Sequence, residues 1–352
     1  MLLAVERVVE SFPPSLPGNY DRHHINRQGA RSYWVAGTAG RLCNRFHSGV
    51  LGLPSPCGRP LRSYAPLPEE AIRAEQLTDV VTHHGEGICW DPALSRVRLV
   101  DVFEGDLLTL DGGLLESRLH VGAVVGAWRP RTGGGVVVAA DDRFLLLDPA
   151  GGAEWTSPSL FGPGRRMNDG GCDRQGRFYC GSMDLDALPG QGTLWRLDVD
   201  RTVSVAVTDL TIPNGLVWSV DGSRAFHVDT PRGSVDVLEH DGETGALAPR
   251  RPVARVSGGH PDGMAQDADG GLWVALWGGS AVHRYSLDGT LTAVVEVDAA
   301  QVSSCAFGGP SDTHLYITTS RQGLAGSEDP AAGAVFCVDV GVQGAPVAAF
   351  GS

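Results

Sequence analysis

Oxygen-bearing side chains recur in this sequence at one phase. Four residues before the end of successive apolar runs, which close at Trp90, Trp128, Cys172, Trp218, Gln266 and Phe307, stand Glu86, Val124, Asn168, Asn214, Asp262 and Ser303. Five of these six can donate an oxygen. Two carboxylates and two amides drawn to one point would repel or stay unsatisfied without a cation. An all-oxygen donor set suits a hard divalent ion, such as Ca2+, Mg2+ or Mn2+, better than a thiolate-seeking metal. Asn214-Gly215 and Asp262-Gly263 could also be ordinary turn dipeptides. The shared register across repeats favours convergence instead.

Convergence requires elements that bring distant residues to one axis. After Arg73 the chain returns six times to one plan: an apolar strand, a turn rich in Asp and Gly, a second strand, and often a third ending in Asp or Tyr. "GICWDPALSRVRLVDVFEGDLLTLDG" is the first unit and "SCAFGGPSDTHLYITTSR…GAVFCVDV" the last, with spacings of 38 to 48 residues. Six such units of short strands predict an all-β chain folded as a six-bladed β-propeller, whose radial closure also protects strand edges. "AEQLTDVV", ahead of the first full unit, is expected to supply the outer strand of the last blade and so close the ring. Alternation in "LWVALW" and "RAFHVD" does not fit a helical period. In a propeller, residues at the start of the innermost strands face the mouth of the central channel, and Glu86 is therefore expected to face a metal.

Composition bounds the rest. The 352 residues are 42% hydrophobic, ample for a core, and carry 48 glycines and 22 prolines. There is no lysine, and a net charge of −13 argues against nucleic-acid binding. No apolar run approaches the roughly 18–20 residues that span a bilayer, and because Glu6 and Arg7 interrupt the apolar start of "MLLAVERVVE", that stretch is not expected to act as a signal peptide. The seven cysteines contain no C-x-x-C pair and several lie in strand-like runs, fitting small hydrophobes in a reduced, cytoplasmic setting. Residues 1–72 read differently: eight arginines against five acids, a balance of +3, with no sustained period. They are expected to form a poorly structured extension, disordered or lying upstream of the functional start, with a partner-binding arm as the alternative; the propeller is expected to span 73–352.

The segments "GEGICWDP", "RRMNDGGCDRQGRFYCGSM", "PNGLVWSVDGSRAFHVDT", "PDGMAQDADGGLWVALWGGSAVHRYSLDG" and "SSCAFGGPSDTHLYITTSR" together resemble the signatures of the SMP-30/gluconolactonase family, also called the regucalcin or senescence-marker-protein family. The resemblance runs in order from about Arg73 to the C-terminus. It implies a six-bladed propeller that hydrolyses sugar lactones with one divalent metal at the channel mouth. It implies Glu86, Asn214 and Asp262 as metal ligands, and Arg166 and Asn168 as contacts to the sugar, with Asn168 touching the metal or its water. A further family carboxylate falls near Asp184 or Asp186, and Asp186 is taken as a substrate contact. Ca2+ is the expected ion, with Zn2+, Mn2+ and Mg2+ as alternatives. The mechanism implied is a polarised lactone carbonyl and an activated water, with Asp262 as general base as well as ligand. A phosphotriesterase-like hydrolase on the same scaffold and a non-catalytic calcium-binding propeller are the competing readings. The expected partner is a small-molecule sugar lactone, with neither nucleic acid nor membrane.

Other signals are set aside. "DADGG" at 267–271 imitates an EF-hand loop but lacks its glutamate and helices, so a hairpin turn is expected. His83 and His84 are expected as exposed loop residues, with a proton-transfer pair as the alternative. Asp229 is expected to be a structural strand-end aspartate, Trp277 blade packing, and Trp90 and Trp218 core.

Overall fold

The computed structural model describes residues 72–325 and 328–351. The readings made on residues 1–71 lie outside the described residues. Among the described residues twenty-five strands form six sheets, joined by loops that include one short 3-10 turn. Blade one is Gly85–Asp91, Arg96–Asp101, Asp106–Asp111 and Leu114–His120, each strand antiparallel to the one before it. The next three blades repeat this order, starting from innermost strands Val125–Pro130, Arg165–Cys172 and Pro213–Trp218. The last two start at His260–Gln266 and Val302–Gly308.

The ring closes as the repeats require. Glu75–Gln76 pairs antiparallel with Val335–Asp339, so a strand from ahead of the first blade becomes the outer strand of the sixth. Closure also has a feature that the repeat pattern did not indicate: Ile72–Arg73 adds a fifth, parallel strand to blade five, against Leu291–Glu296.

Burial follows position within the blade. Second strands such as Val136–Ala140 and Leu272–Trp277 are buried on both faces between neighbouring blades, and read as continuous apolar runs. The outer strand Leu114–His120 is almost wholly exposed. Between blades two and three, Phe144 and Phe178 meet edge to face at a centroid distance of 5.6 Å, packed with Met167 and Leu197. Removing either ring would cost about 3–5 kcal/mol. The "DADGG" segment is a hairpin turn, Asp267 N–H donating to the Gly271 carbonyl. Cys89, Cys172, Cys180 and Cys305 are buried free thiols. No helix among the described residues is long and apolar enough to cross a membrane.

Candidate active site at the channel mouth

Two local devices aim the innermost strands. The first is a β-bulge. All six strands break register at or beside the aligned position: between Glu86 and Cys89, Val125 and Ala127, Met167 and Gly170, Asn214 and Leu216, Pro261 and Met264, and Val302 and Ser304. A bulge interrupts side-chain alternation and re-aims the residues on it. The glycines beside the oxygen donors are therefore not turn residues. A Cβ on Gly126 would lie 2.3 Å from the Asn168 carbonyl oxygen, and one on Gly215 would lie 2.7 Å from that of Asp262. Here glycine lets adjacent innermost strands approach.

The second device is a strand-end aspartate. Asp101 accepts the N–H groups of His83 and His84 at 2.9 and 3.0 Å, pinning the loop that leads into Glu86. Asp141 does the same for Ala123 and Val124, and Asp229 for Thr211 and Ile212 just ahead of Asn214. Asp229 is additionally paired with Arg250 at 2.9 Å. Its expected structural role is what the geometry supports.

The donors themselves are nearly sealed. Glu86, Asn168, Asn214 and Asp262 are each 9% exposed or less. A line of hydrogen bonds crosses three blades. Arg166 Nη1 donates to Asn168 Oδ1 (2.6 Å), Asn168 Nδ2 donates to Asn214 Oδ1 (2.8 Å), and Asn214 Nδ2 donates to Thr230 Oγ1 (2.8 Å), which donates to the Pro261 carbonyl beside Asp262 (2.9 Å). Both amide orientations are thereby set. Thr230, in the 3-10 turn after Asp229, and Asp169 were not singled out from the sequence. Asp169 carried a signal that could have found it: like Glu86, it is a carboxylate standing ahead of glycine in a buried strand.

The electrostatics are those of a site short of positive charge. Burial, then the charges of Asp262 and Asp169, hold the Glu86 carboxyl well above the ordinary carboxylate range. Burial and Asp169 do the same to Asp262, with Arg166 pulling the other way. Burial raises Asp169, with Arg129 opposing. Arg166 is pushed down to about 10 by burial, against the pull of Glu86 and Asp262. Among the described residues the Glu86 carboxylate accepts only the N–H of its neighbour Gly87, at 3.1 Å. Two buried carboxylates that repel each other beside amide oxygens fit a hard divalent cation. Among the described residues no three His, Cys, Asp or Glu side chains are grouped to hold a metal. A cation here would therefore draw on the Asn214 amide as well as on Glu86 and Asp262.

The surroundings correct three expectations. His84 is not an exposed loop residue: it is 5% exposed, its ring stacked on Phe103 at 5.1 Å and edge to face with Trp277 at 5.6 Å. Burial, then Arg166 and His83, push its imidazole down to about 3. His83 alone of the pair is exposed. Trp277 is half-buried at the site end of its strand, against His84 rather than wholly within a blade. Trp218 is buried, whereas Trp90 is half-buried and stacks on Tyr316. Asp186 lies further out, exposed in the turn after Phe178–Asp184, where its N–H donates to the half-buried Asp184. Beside Arg166 a cleft of about 450 Å3 opens, lined by Val124, Asp141, Asp142, Phe161 and Arg165. At the other end of the innermost strands a cavity of about 80 Å3 is lined by Asp169, Arg129, Cys89, Cys172 and Gln266.

The fold agrees with the comparisons to known proteins. The SMP-30/Gluconolactonase/LRE-like region matches residues 84–321. A pentonolactonase of Haloferax volcanii is 34% identical over 282 residues, covering 77% of this chain and 96% of that protein. A 6-deoxy-6-sulfogluconolactonase of Pseudomonas putida is 33% identical over 270 residues, 74% of this chain and 92% of its own. Among solved structures, a regucalcin of Agrobacterium tumefaciens, described as calcium-binding, superposes with a TM-score of 0.74 at 27% identity, over 80% of this chain and 99% of that one. The chain belongs to the SMP-30/gluconolactonase family.

Proposed function

We propose that this protein is a lactonase that hydrolyses sugar 1,4- or 1,5-lactones to aldonic acids with one divalent metal, Ca2+ first among the candidates. The observation that carries the reading is the co-burial of Glu86 and Asp262 beside a hydrogen-bonded line that ends in Arg166, next to an open cleft. The names of the pentonolactonase and sulfogluconolactonase relatives support the substrate class.

Glu86, Asn214 and Asp262 would hold the metal. When bound, a divalent cation supplies polarisation of the carbonyl oxygen and a more acidic water. The chain's own residues do the rest. Asp262 accepts the proton of the attacking water at its carboxylate, since a carboxylate in reach of water can act as general base. Arg166 orients substrate hydroxyl oxygens with a planar, charged donor fork. Asn168, held between Arg166 and Asn214, keeps that guanidinium in register with the Asn214 amide. Asp186, exposed in the turn after Phe178–Asp184, would meet the far end of the sugar.

The test is the rate of acid release from gluconolactone, xylonolactone and arabinonolactone, with and without chelator, alongside metal content after purification. Chelator-sensitive turnover on any of these supports the reading. A protein that binds Ca2+ and turns over none of them is instead the calcium-binding propeller suggested by the regucalcin likeness.

A further inference from the structure

One sector of the mouth carries chemistry that neither the metal set nor Arg166 uses. His84 lies between blades one and six, its backbone N–H held by Asp101 and its Nδ1 2.6 Å from Ser320 Oγ. Ser320 is itself fixed: its Oγ accepts the Gln322 N–H at 3.0 Å, and its carbonyl accepts Gln301 Nε2 at 2.9 Å. The ring is clamped by Phe103 and Trp277. Phe103 ties this sector to the site, because the Arg166 guanidinium carbon lies 5.5 Å from its ring centroid. The second ring nitrogen, Nε2, has no hydrogen-bond partner among the described residues, yet it is not one of the polar atoms sealed from solvent.

An imidazole bonded at one nitrogen, clamped between two rings and open at the other nitrogen presents a polar atom to the mouth that a leucine or phenylalanine filling the same corner would not, and its burial carries a desolvation cost that they avoid. We infer that Phe103, His84 and Trp277 form a sugar-binding wall, in which Phe103 backs His84 and Arg166, the half-buried Trp277 ring receives the C–H face of a polyhydroxylated substrate, and His84 Nε2 hydrogen-bonds one of its hydroxyls. A hydroxyl both donates and accepts, so it serves either imidazole tautomer. His84 is then a residue that sets preference for hydroxylated over bare lactones. The inference rests on the lactonase reading for its substrate class, but its geometry stands apart from the metal set.

The experiment compares wild type with His84→Phe, which keeps the ring and removes the nitrogen, on glucono-1,5-lactone and on δ-valerolactone, which has no hydroxyls. The KM for gluconolactone is expected to rise about tenfold with kcat little changed, the size of one lost hydrogen bond, while δ-valerolactone kinetics stay within about twofold. Calorimetric binding of gluconate to the same two proteins gives a readout independent of turnover, and about a tenfold weaker binding is expected. Equal losses on both lactones, or none on either, overturn the inference while leaving the lactonase reading intact. No turnover by wild type, with gluconate binding still dependent on His84, overturns the lactonase reading and keeps the wall. Wild type that neither turns over lactones nor binds gluconate ends both. Should His84→Phe fail to fold, His84→Gln, which keeps a polar tip, is expected to show a smaller loss of the same selectivity; its absence counts against the wall.

Discussion

The side-chain amide of Asn168 donates to Asn214 Oδ1 at 2.8 Å, although the two residues lie 46 positions apart and on different blades. Through it the guanidinium of Arg166 and the amide oxygen of Asn214 share one orientation. Asn168→Leu removes both links of that line while filling similar volume. We expect a loss of about 10–100-fold in lactone kcat/KM and in metal affinity, the range seen when groups that orient metal ligands are removed. Lactone kinetics and metal titration of the variant check it.

Glu86→Gln and Asp262→Asn should each abolish lactone hydrolysis and also make the metal-free protein more stable. The sign follows from the raised carboxyls. In the folded state each binds its proton more tightly than its ordinary values of 4.5 and 3.8, so stability of the metal-free protein falls as pH rises above those values toward the folded pKa. Neutral amides remove that loss. Thermal melting with excess chelator, from pH 4 to pH 8 or about that range, should show flatter profiles for the variants; added Ca2+ should raise the Tm of wild type far more than theirs.

The buried histidines act in the opposite direction. His84 and His227 are pushed down to about 3 and about 4 by burial. Their contribution is complete above the ordinary value of 6.5 and is lost as pH falls through the window down to those folded values. His227→Leu should flatten the acid limb of the stability profile in chemical denaturation, without moving lactone kinetics.

Asp229→Ala would strip acceptors from the N–H groups of Thr211 and Ile212 and from Arg250. A cost of about 2–3 kcal/mol is expected from groups left unsatisfied. Because that loop leads into Asn214, metal affinity should fall with it, whereas Asp229→Asn should retain part of both. Denaturant midpoints and metal titration distinguish the two.

Gly126→Ala tests the close approach of the innermost strands. Its new methyl would lie 2.3 Å from the Asn168 carbonyl oxygen, so backbone must shift, at about 1–3 kcal/mol. Asn168 links Arg166 to Asn214, so on the proposed function turnover should fall together with the Tm.

The sequence by itself determined the repeat, and with it the fold. Strand periodicity, turn chemistry and the phase of Glu86, Asn168, Asn214 and Asp262 are local properties, and a radial array leaves one place for residues of equal phase to meet. The closing strand Glu75–Gln76 was legible for the same reason, since six equal blades needed one more edge. What only the tertiary structure decided were matters of burial and of partners far along the chain. His84 looks like a loop histidine until Ser320, 236 residues away, is placed against its ring. Asp169 looks like part of a motif until burial beside Glu86 and Asp262 makes it one of three repelling carboxylates. Glycines that resemble turn residues prove to be contact points between strands, because only the packed ring shows which backbone lies opposite. Pattern sets which residues share an axis; desolvation and long-range contact set what each of them does there.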